Sequence, residues 1–306
     1  MKTIAVLTDF SKRAENAARY ALHLAQQLKA NIILYNSFLV PAGEPLAGQV
    51  YWSMEDFNAL QEDSEQELNL LASRLKEELT TLPVNAFKPA IHCQCQEGPL
   101  YMHLNKLLAN KDIIMLVMGT HRKGLSSLIM GNHMRDIIGN TSLPVLVIPE
   151  NHHFKNIDKI IFATDMSETD LEVLHALTQM AKPSHAEITL AHIQSPEITE
   201  KETKKLTWNF LEEVANKINY GKIYYREVKK TPIKEGLKWL SSNVTCSLFV
   251  MVHRHKSFLE QLFNISNTQK MAANTNLPLL IYPSLPVSGT SSEMATQENR
   301  IASVII

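Results

Sequence analysis

Ile4-Ala5-Val6-Leu7-Thr8-Asp9-Phe10-Ser11, close to the N-terminus, returns later in the chain as Ile160-Ile161-Phe162-Ala163-Thr164-Asp165-Met166-Ser167. A second pair follows in the same order. Asn140-Thr141-Ser142-Leu143-Pro144-Val145-Leu146-Val147-Ile148-Pro149 returns as Asn274-Thr275-Asn276-Leu277-Pro278-Leu279-Leu280-Ile281-Tyr282-Pro283. Two matches in one order identify an internal repeat, which has to be found before any motif is placed. The second copy is the shorter between these landmarks, and much of the difference sits in 38–53.

Outward from the first motif, short apolar runs alternate with helical spacing. The runs of copy one lie at 3–7, 31–36, 86–95, 113–118 and 145–148. Ala14, Ala17, Ala18, Ala21, Leu22 and Ala25 recur at helical intervals, with Ser11 placed to cap the helix. Leu68, Leu71, Leu75 and Leu79 mark a second helix, and 100–108 and 125–138 fit shorter ones. Copy two repeats the order with strands near 159–163, 187–193, 223–228, 248–251 and 279–282. Strands apolar on both faces and alternating with helices predict a parallel sheet covered on each side, hence an α/β fold in each copy. The polar stretch 150–156 is the boundary, giving domains over 1–150 and 151–283. A tail over 284–306 follows, rich in small polar residues until the apolar Ile301-Ala302-Ser303-Val304-Ile305-Ile306. Its plain reading is a flexible terminus; the sharper one is a segment that docks on a sheet edge or a second chain.

Bulk composition narrows the class. With 306 residues, 45% hydrophobic and 20% charged, each copy is long enough to bury its own core. Thirty basic against 31 acidic residues give a net charge of -1, so no overall pull toward nucleic acid or anionic lipid is expected. Three cysteines, Cys93, Cys95 and Cys246, do not make a disulfide framework. Asp9 cuts the first apolar run too early for a signal-peptide core, and no run approaches the roughly 20 residues of a membrane span. A soluble, cytoplasmic protein is the expectation.

In a doubly wound sheet, ligands sit beyond the carboxyl ends of the strands, where Asp9 and Asp165 fall. A carboxylate there can accept from a ribose or a base, or close its own turn. The fourth strand of copy one runs into Met118-Gly119-Thr120-His121-Arg122-Lys123-Gly124, with Gly131-Asn132 beyond. Glycines between strand and helix let backbone N–H groups approach phosphate, and Arg122 and Lys123 add cationic donors. A strand ending in Thr-Asp-Phe-Ser, a fourth strand ending in Met-Gly-Thr-His, a later glycine and a closing Leu-Pro-Val-Leu-Val-Ile-Pro together resemble the universal stress protein domain. The resemblance spans nearly all of 1–149 and, more weakly, 156–283.

That resemblance implies two Rossmann-like domains with strand order 3-2-1-4-5, joined through their last strands at 145–148 and 279–282 as a pseudo-dimer. It also implies ATP, with Mg, as the candidate ligand. Nucleotide-binding members carry Gly-x2-Gly-x9-Gly-Ser/Thr, and the strand-one Asp and a backbone group at the end of strand two hold the nucleoside. Carried onto copy one, the candidate contacts are Thr8, Asp9, Asn36, Met118, Gly119, His121, Arg122, Gly124, Gly131 and Asn132. Arg122 stands where the second glycine is usual, Gly131 comes one residue early, and Asn132 replaces Ser or Thr. In copy two Val252-His253-Arg254-His255 replaces Gly-x-x-Gly and Ile265-Ser266 the later pair, so only Asp165 and Ser266 match. A β-branched residue at a glycine position crowds phosphate, and nucleotide binding is expected in copy one alone.

Other constellations read more plainly. On a strand Cys93 and Cys95 face one side and His92 the other, without the four ligands of a structural zinc; they are expected to be buried or half-buried thiols. His253, Arg254, His255 and Lys256 are expected to form a solvated basic loop, and His152 and His153 surface residues. Tyr51 and Trp52, in 38–53, are placed either to cover the mouth of copy one as a lid or to pack against the other copy. There is no Walker A motif, nucleophile elbow, Ser-Gly-Gly loop or His-x-Gly-His motif, so enzymatic activity beyond slow ATP hydrolysis is not expected. The candidate functions are therefore a nucleotide-sensing stress protein or a scaffold without nucleotide, with an unidentified protein partner in either case and further homodimer formation left open.

Overall fold

Ile4 and Val6 of the opening motif pack into one hydrophobic core, and Ala5 and Leu7 into another on the opposite side. That alternation is what a strand buried on both faces requires, because successive side chains point to opposite faces. The computed structural model describes residues 1–39, 54–120, 134, 136–194, 199–228, 231–254 and 277–283. The elements of copy one are β1 (Thr3–Leu7), α1 (Lys12–Leu28), β2 (Asn31–Phe38), α2 (Met54–Thr80), β3 (Ile91–Glu97), α3 (Leu100–Leu108), β4 (Ile113–Thr120) and β5 (Val145–Pro149). Those of copy two are β6 (Lys159–Ala163), α4 (Glu168–Ala181), β7 (Glu187–Ile193), α5 (Glu200–Lys217), β8 (Ile223–Val228), α6 (Ile233–Asn243), β9 (Leu248–His253) and β10 (Leu279–Pro283).

All ten strands among the described residues lie in one sheet in the order β3-β2-β1-β4-β5-β10-β9-β6-β7-β8. Each half has the order 3-2-1-4-5 counted within itself, and within each half the pairs are parallel. The halves meet where β5 and β10 pair antiparallel, Val147 opposite Leu279, Leu146 opposite Leu280 and Val145 opposite Ile281. These are the two closing strands of the sequence repeat. Pairing them satisfies an edge that each half would otherwise leave open. One face of the sheet is covered by α1, α2, α4 and α5, the other by α3 and α6. Each fully buried Leu, Ile or Val contributes about 1.5–3 kcal/mol, so the alanine face of α1 serves mainly to bring that helix close.

The strand bounds differ from the sequence expectation in places with identifiable causes. Residues 86–90 are not strand, because Pro89 has no N–H for the ladder; pairing starts at Ile91. β4 runs on to Thr120 and β9 to His253, carrying the mouth residues onto the sheet itself. Of the expected helix 125–138, only 134 and 136–138 are described, and they are helical with 139–140.

The stretch between the copies is fastened to α1. Asn16 Nδ2 donates to Pro149 O at 3.1 Å and to His152 O at 3.0 Å. Tyr20 meets the Phe154 ring edge-on at 4.9 Å, and Gln27 Nε2 donates to Asn156 Oδ1 at 2.7 Å. His152 is consequently half-buried beside Tyr20 rather than a plain surface residue, whereas His153 is exposed.

Candidate functional site

The mouth of copy one is built where β1 hands over to α1. Thr8 N donates to Tyr35 O at 2.9 Å, extending the β1–β2 ladder by one residue. Thr8 Oγ1 then accepts from Phe10 N at 3.0 Å, closing a tight turn with Phe10 in the left-handed region, φ 60°. Ser11 caps α1, its hydroxyl accepting from Ala14 N at 3.3 Å. Asp9 lies on this turn with its side chain 41% exposed. One carboxylate oxygen accepts from Ser11 N and Oγ, and the other pairs with the Arg13 guanidinium one helical turn on. Partial burial pushes the Asp9 carboxyl up. The Ser11 hydroxyl, Arg13 and the Ser11 N–H outweigh it and hold the group below the usual carboxylate range.

Gly119 and Asn36 are shaped by packing as much as by any ligand. A Cβ on Gly119 would lie 2.5 Å from Arg13 O and 2.8 Å from Arg13 C, so only glycine lets the end of β4 approach the first turn of α1. Asn36 is buried, its Nδ2 donating to Thr8 O at 2.8 Å and its Oδ1 accepting from Ser64 Oγ at 2.9 Å. Its side chain ties β2 to the end of β1 and to α2, which leaves only backbone groups to face a ligand. Met118 is buried in the core on the α3 side. The structure therefore brings Thr8, Asp9, Asn36, Met118 and Gly119 to one end of neighbouring strands. His121, Arg122, Gly124, Gly131 and Asn132 lie outside the described residues, as do the lid residues Tyr51 and Trp52, Ile265-Ser266 and the tail 284–306.

Copy two shows the same turn with a different occupant. Thr164 N donates to Ala191 O at 3.0 Å, Met166 N to Thr164 Oγ1 at 2.8 Å, and Met166 is left-handed at φ 67°. His192 stands where Asn36 stands in copy one, one residue past the strand-two partner of the motif. It makes the equivalent bond: its Nδ1 lies 3.1 Å from Thr164 O, and because a carbonyl only accepts, Nδ1 carries the proton. Arg254, directly after β9, then reaches across the mouth. Its guanidinium pairs with both Asp165 and Asp170, and donates to Ser167 Oγ and, at 3.2 Å, to Thr169 Oγ1. Asp170 is wholly buried, with its other oxygen accepting from Thr164 Oγ1 at 2.5 Å. Burial pushes its carboxyl up to about 6 even though Arg254 and Thr164 pull the other way.

Several expectations are corrected by these contacts. Arg254 is not part of a solvated loop but the half-buried central donor of a cluster around the wholly buried Asp170, and His253 beside it is buried. Cys93 is exposed, because β3 is an edge strand, while Cys95 is half-buried and Cys246 buried. Both β3 thiols face α2, as their spacing requires, with Cys93 Sγ 3.6 Å from Leu68 O. No group of three metal-ligating side chains forms among the described residues. Nor is any described helix long and apolar enough to cross a membrane. Sequence reasoning missed Asp170 and Asn16. The available signal was a polar residue at a core-facing helical position: Asp170 lies one turn before Leu174, and Asn16 one turn before Tyr20.

Comparison with known proteins adds to this geometry. The Universal stress protein family model matches residues 1–149 and again 156–283. No curated protein matches the chain. Among solved structures, a universal stress protein from Archaeoglobus fulgidus DSM 4304 aligns with TM-score 0.67 at 13% identity, covering 92% of this chain and 98% of that one. The cytoplasmic domain of a prokaryotic cation chloride cotransporter aligns with TM-score 0.52 at 12% identity, covering 92% and 94%. At such identities the likeness is one of fold.

Proposed function

This chain belongs to the universal stress protein family over both of its halves, and we propose that it is a stress-response regulator in which the N-terminal copy alone binds an adenine nucleotide. The observation that carries this reading is the difference between the two mouths. Both aspartates are partly exposed and paired with an arginine, but Asp9 is bonded, among the described residues, only to its own turn and helix, through Ser11 and Arg13. The equivalent Asp165 is taken up by Arg254, which comes from the strand-four side where a ligand's phosphates would lie.

The described part of the copy-one site fits a nucleoside. Asp9, held ionised at neutral pH, accepts hydrogen bonds from ribose or base. The backbone beyond Asn36 and at Met118 flanks it, and the first turn of α1 contributes Arg13. A bound nucleotide would supply phosphate charge as the signal read by a partner, with Mg as counter-ion and hydrolysis slow at most. In this reading copy two is the structural half. Its β10 covers the β5 edge as the second subunit would in a homodimer of single-domain relatives, and the protein is a cytoplasmic pseudo-dimer that engages neither nucleic acid nor membrane.

A second reading rests on a specific observation. Gly119 and Asn36 are both fully explained by contacts within the fold, and Arg122 stands at a glycine position, so copy one also suits a scaffold that takes no nucleotide. The two are separated by denaturing native protein purified without added nucleotide and identifying what is released. Adenine nucleotide at up to one per chain supports the first. Nucleotide-free protein that also fails to take up ATP, while capturing a specific protein partner, supports the second and defeats the first.

A further inference from the structure

The ten-stranded sheet has two open edges among the described residues, β3 and β8, and they are unlike. Ile188 N and Gln194 N, donors on the β7 side, bond to Lys222 O and Val228 O at 2.9 Å each. Bonding direction alternates along a strand, so Ile223, Tyr225 and Glu227 turn their N–H and C=O groups away from β7, toward the open side. Helices flank this edge on both faces. On one lies α5, with Thr207 Oγ1 3.4 Å from Tyr225 Oη. On the other lies α6, where Arg226 stands over the Trp239 ring at 5.7 Å. Aromatic surface is left in solvent there, Tyr224 being 51% and Trp239 45% exposed. β3 has no such surface: between Ile91 and Glu97 it carries His92, Gln94, Gln96 and two thiols.

We propose that the apolar segment 301–306 of the same chain adds to β8 as an antiparallel strand. Its six residues match the six of β8, and all but Ser303 are apolar, as suits a strand with helices over both faces. The connection fits as well. Ala163 pairs with Ala191 on one side and Met251 on the other; two residues further along, Ile193 pairs with Val228 and His253 with Pro283. Pro283 therefore leaves the sheet level with the end of β8, four strand spacings or about 19 Å away. Residues 284–300 make the connection, and a connector of 17 residues rich in Ser, Thr and Gly has an r.m.s. span of about 23 Å. Entering at the Val228 end, the segment runs back along β8 antiparallel and needs no crossover. At β3, which points the other way because β5 and β10 are antiparallel, the same entry gives a parallel pair beside polar side chains. In the register that overlaps all six residues, Val304 lies beside Tyr225 and Ile305 beside Tyr224. The segment thus covers an edge that is otherwise open to other chains. This inference does not depend on nucleotide binding.

Hydrogen exchange on the full chain, read in peptides covering 222–228, tests it against Val304→Asp combined with Ile305→Asp. The outward N–H groups of Ile223, Tyr225 and Glu227 are protected only where a strand pairs with them. Exchange there is expected to be at least about tenfold faster in the Asp variant, while peptides of β1 stay unchanged. Val304→Ile with Ile305→Val keeps β-branched side chains and is expected to keep the protection. With Trp52→Phe and Trp208→Phe in place, Trp239 is the sole tryptophan, and its quenching by acrylamide is expected to rise in the Asp variant. Sedimentation velocity is expected to give the mass of a single chain throughout. Equal exchange at β8 in all three proteins would overturn the proposal, as would a rise in Trp239 quenching without faster exchange at β8. So would protection of β8 confined to a dimer, which would assign the segment to a second copy.

Discussion

Replacing Arg254 by Ala removes the one cation that, among the described residues, faces the wholly buried carboxyl of Asp170. Its second partner, Asp165, is 56% exposed, and that pair contributes about 0–1 kcal/mol in solvent, so the effect comes from Asp170. The direction follows from linkage. The Asp170 carboxyl is raised from 3.8 to about 6 in the folded state, so protonation favours folding. The stability this group contributes is fully present below pH 3.8 and is lost as pH rises toward 6, where it levels off because the folded carboxyl then ionises against Arg254. Without Arg254 no described cation faces the carboxyl, and the loss continues upward in pH. Each further unit costs about 1 kcal/mol, so the variant's deficit relative to wild type is about 1–2 kcal/mol larger at pH 7 than at pH 5, and about 2–3 kcal/mol larger at pH 8. The deficit remaining at pH 5, about 1 kcal/mol, reflects the lost hydrogen bonds to Ser167, Thr169 and the neutral acid. Urea unfolding followed by tryptophan emission measures this in copy two, which holds Trp208 and Trp239, once Trp52 is replaced by Phe. A deficit that is the same at pH 5 and pH 8, or smaller at pH 8, would refute the reasoning.

Three further substitutions have defined outcomes. Gly119→Ala places a Cβ against the Arg13 carbonyl and is expected to cost about 1–3 kcal/mol as α1 is pushed from β4, seen as a lowered melting temperature with or without ligand. Any loss of nucleotide affinity at that position therefore reports on packing, which makes Asp9 the cleaner probe. Asn36→Ala strips the buried Ser64 hydroxyl and the Thr8 carbonyl of their partner and is expected to cost about 1–3 kcal/mol in chemical denaturation. Asn16→Ala releases the Pro149 and His152 carbonyls; limited proteolysis is expected to cut faster within 150–156 while each half keeps its far-UV spectrum.

The fold was legible because it is written twice and in apolar residues. β1 and β6 are buried on both faces, so their Ile, Val, Leu and Phe runs carry the strand signal without help from their surroundings. Strand ends were less so: 86–95 reads as apolar, but Pro89 denies the ladder a donor, and the alternation alone does not register that. The site was legible only where position in the chain fixes position in space, as for Asp9 at the end of β1. Arg254 looked solvated because its partner Asp170 is 84 residues away, and only the fold brings them together. The match of Asn36 with His192 was hidden for a related reason. The two side chains share no chemistry except one donor, and strand register, not residue type, places each beside the carbonyl of its strand-one threonine.

The central claim is that one copy binds nucleotide and the other does not. Calorimetric titration of ATP with Mg into nucleotide-free protein tests it, with Asp9→Ala and Asp165→Ala alongside. The account predicts one site per chain, lost or severely weakened in Asp9→Ala and unchanged in Asp165→Ala. Two sites per chain, or a single site abolished by Asp165→Ala and indifferent to Asp9→Ala, would contradict it.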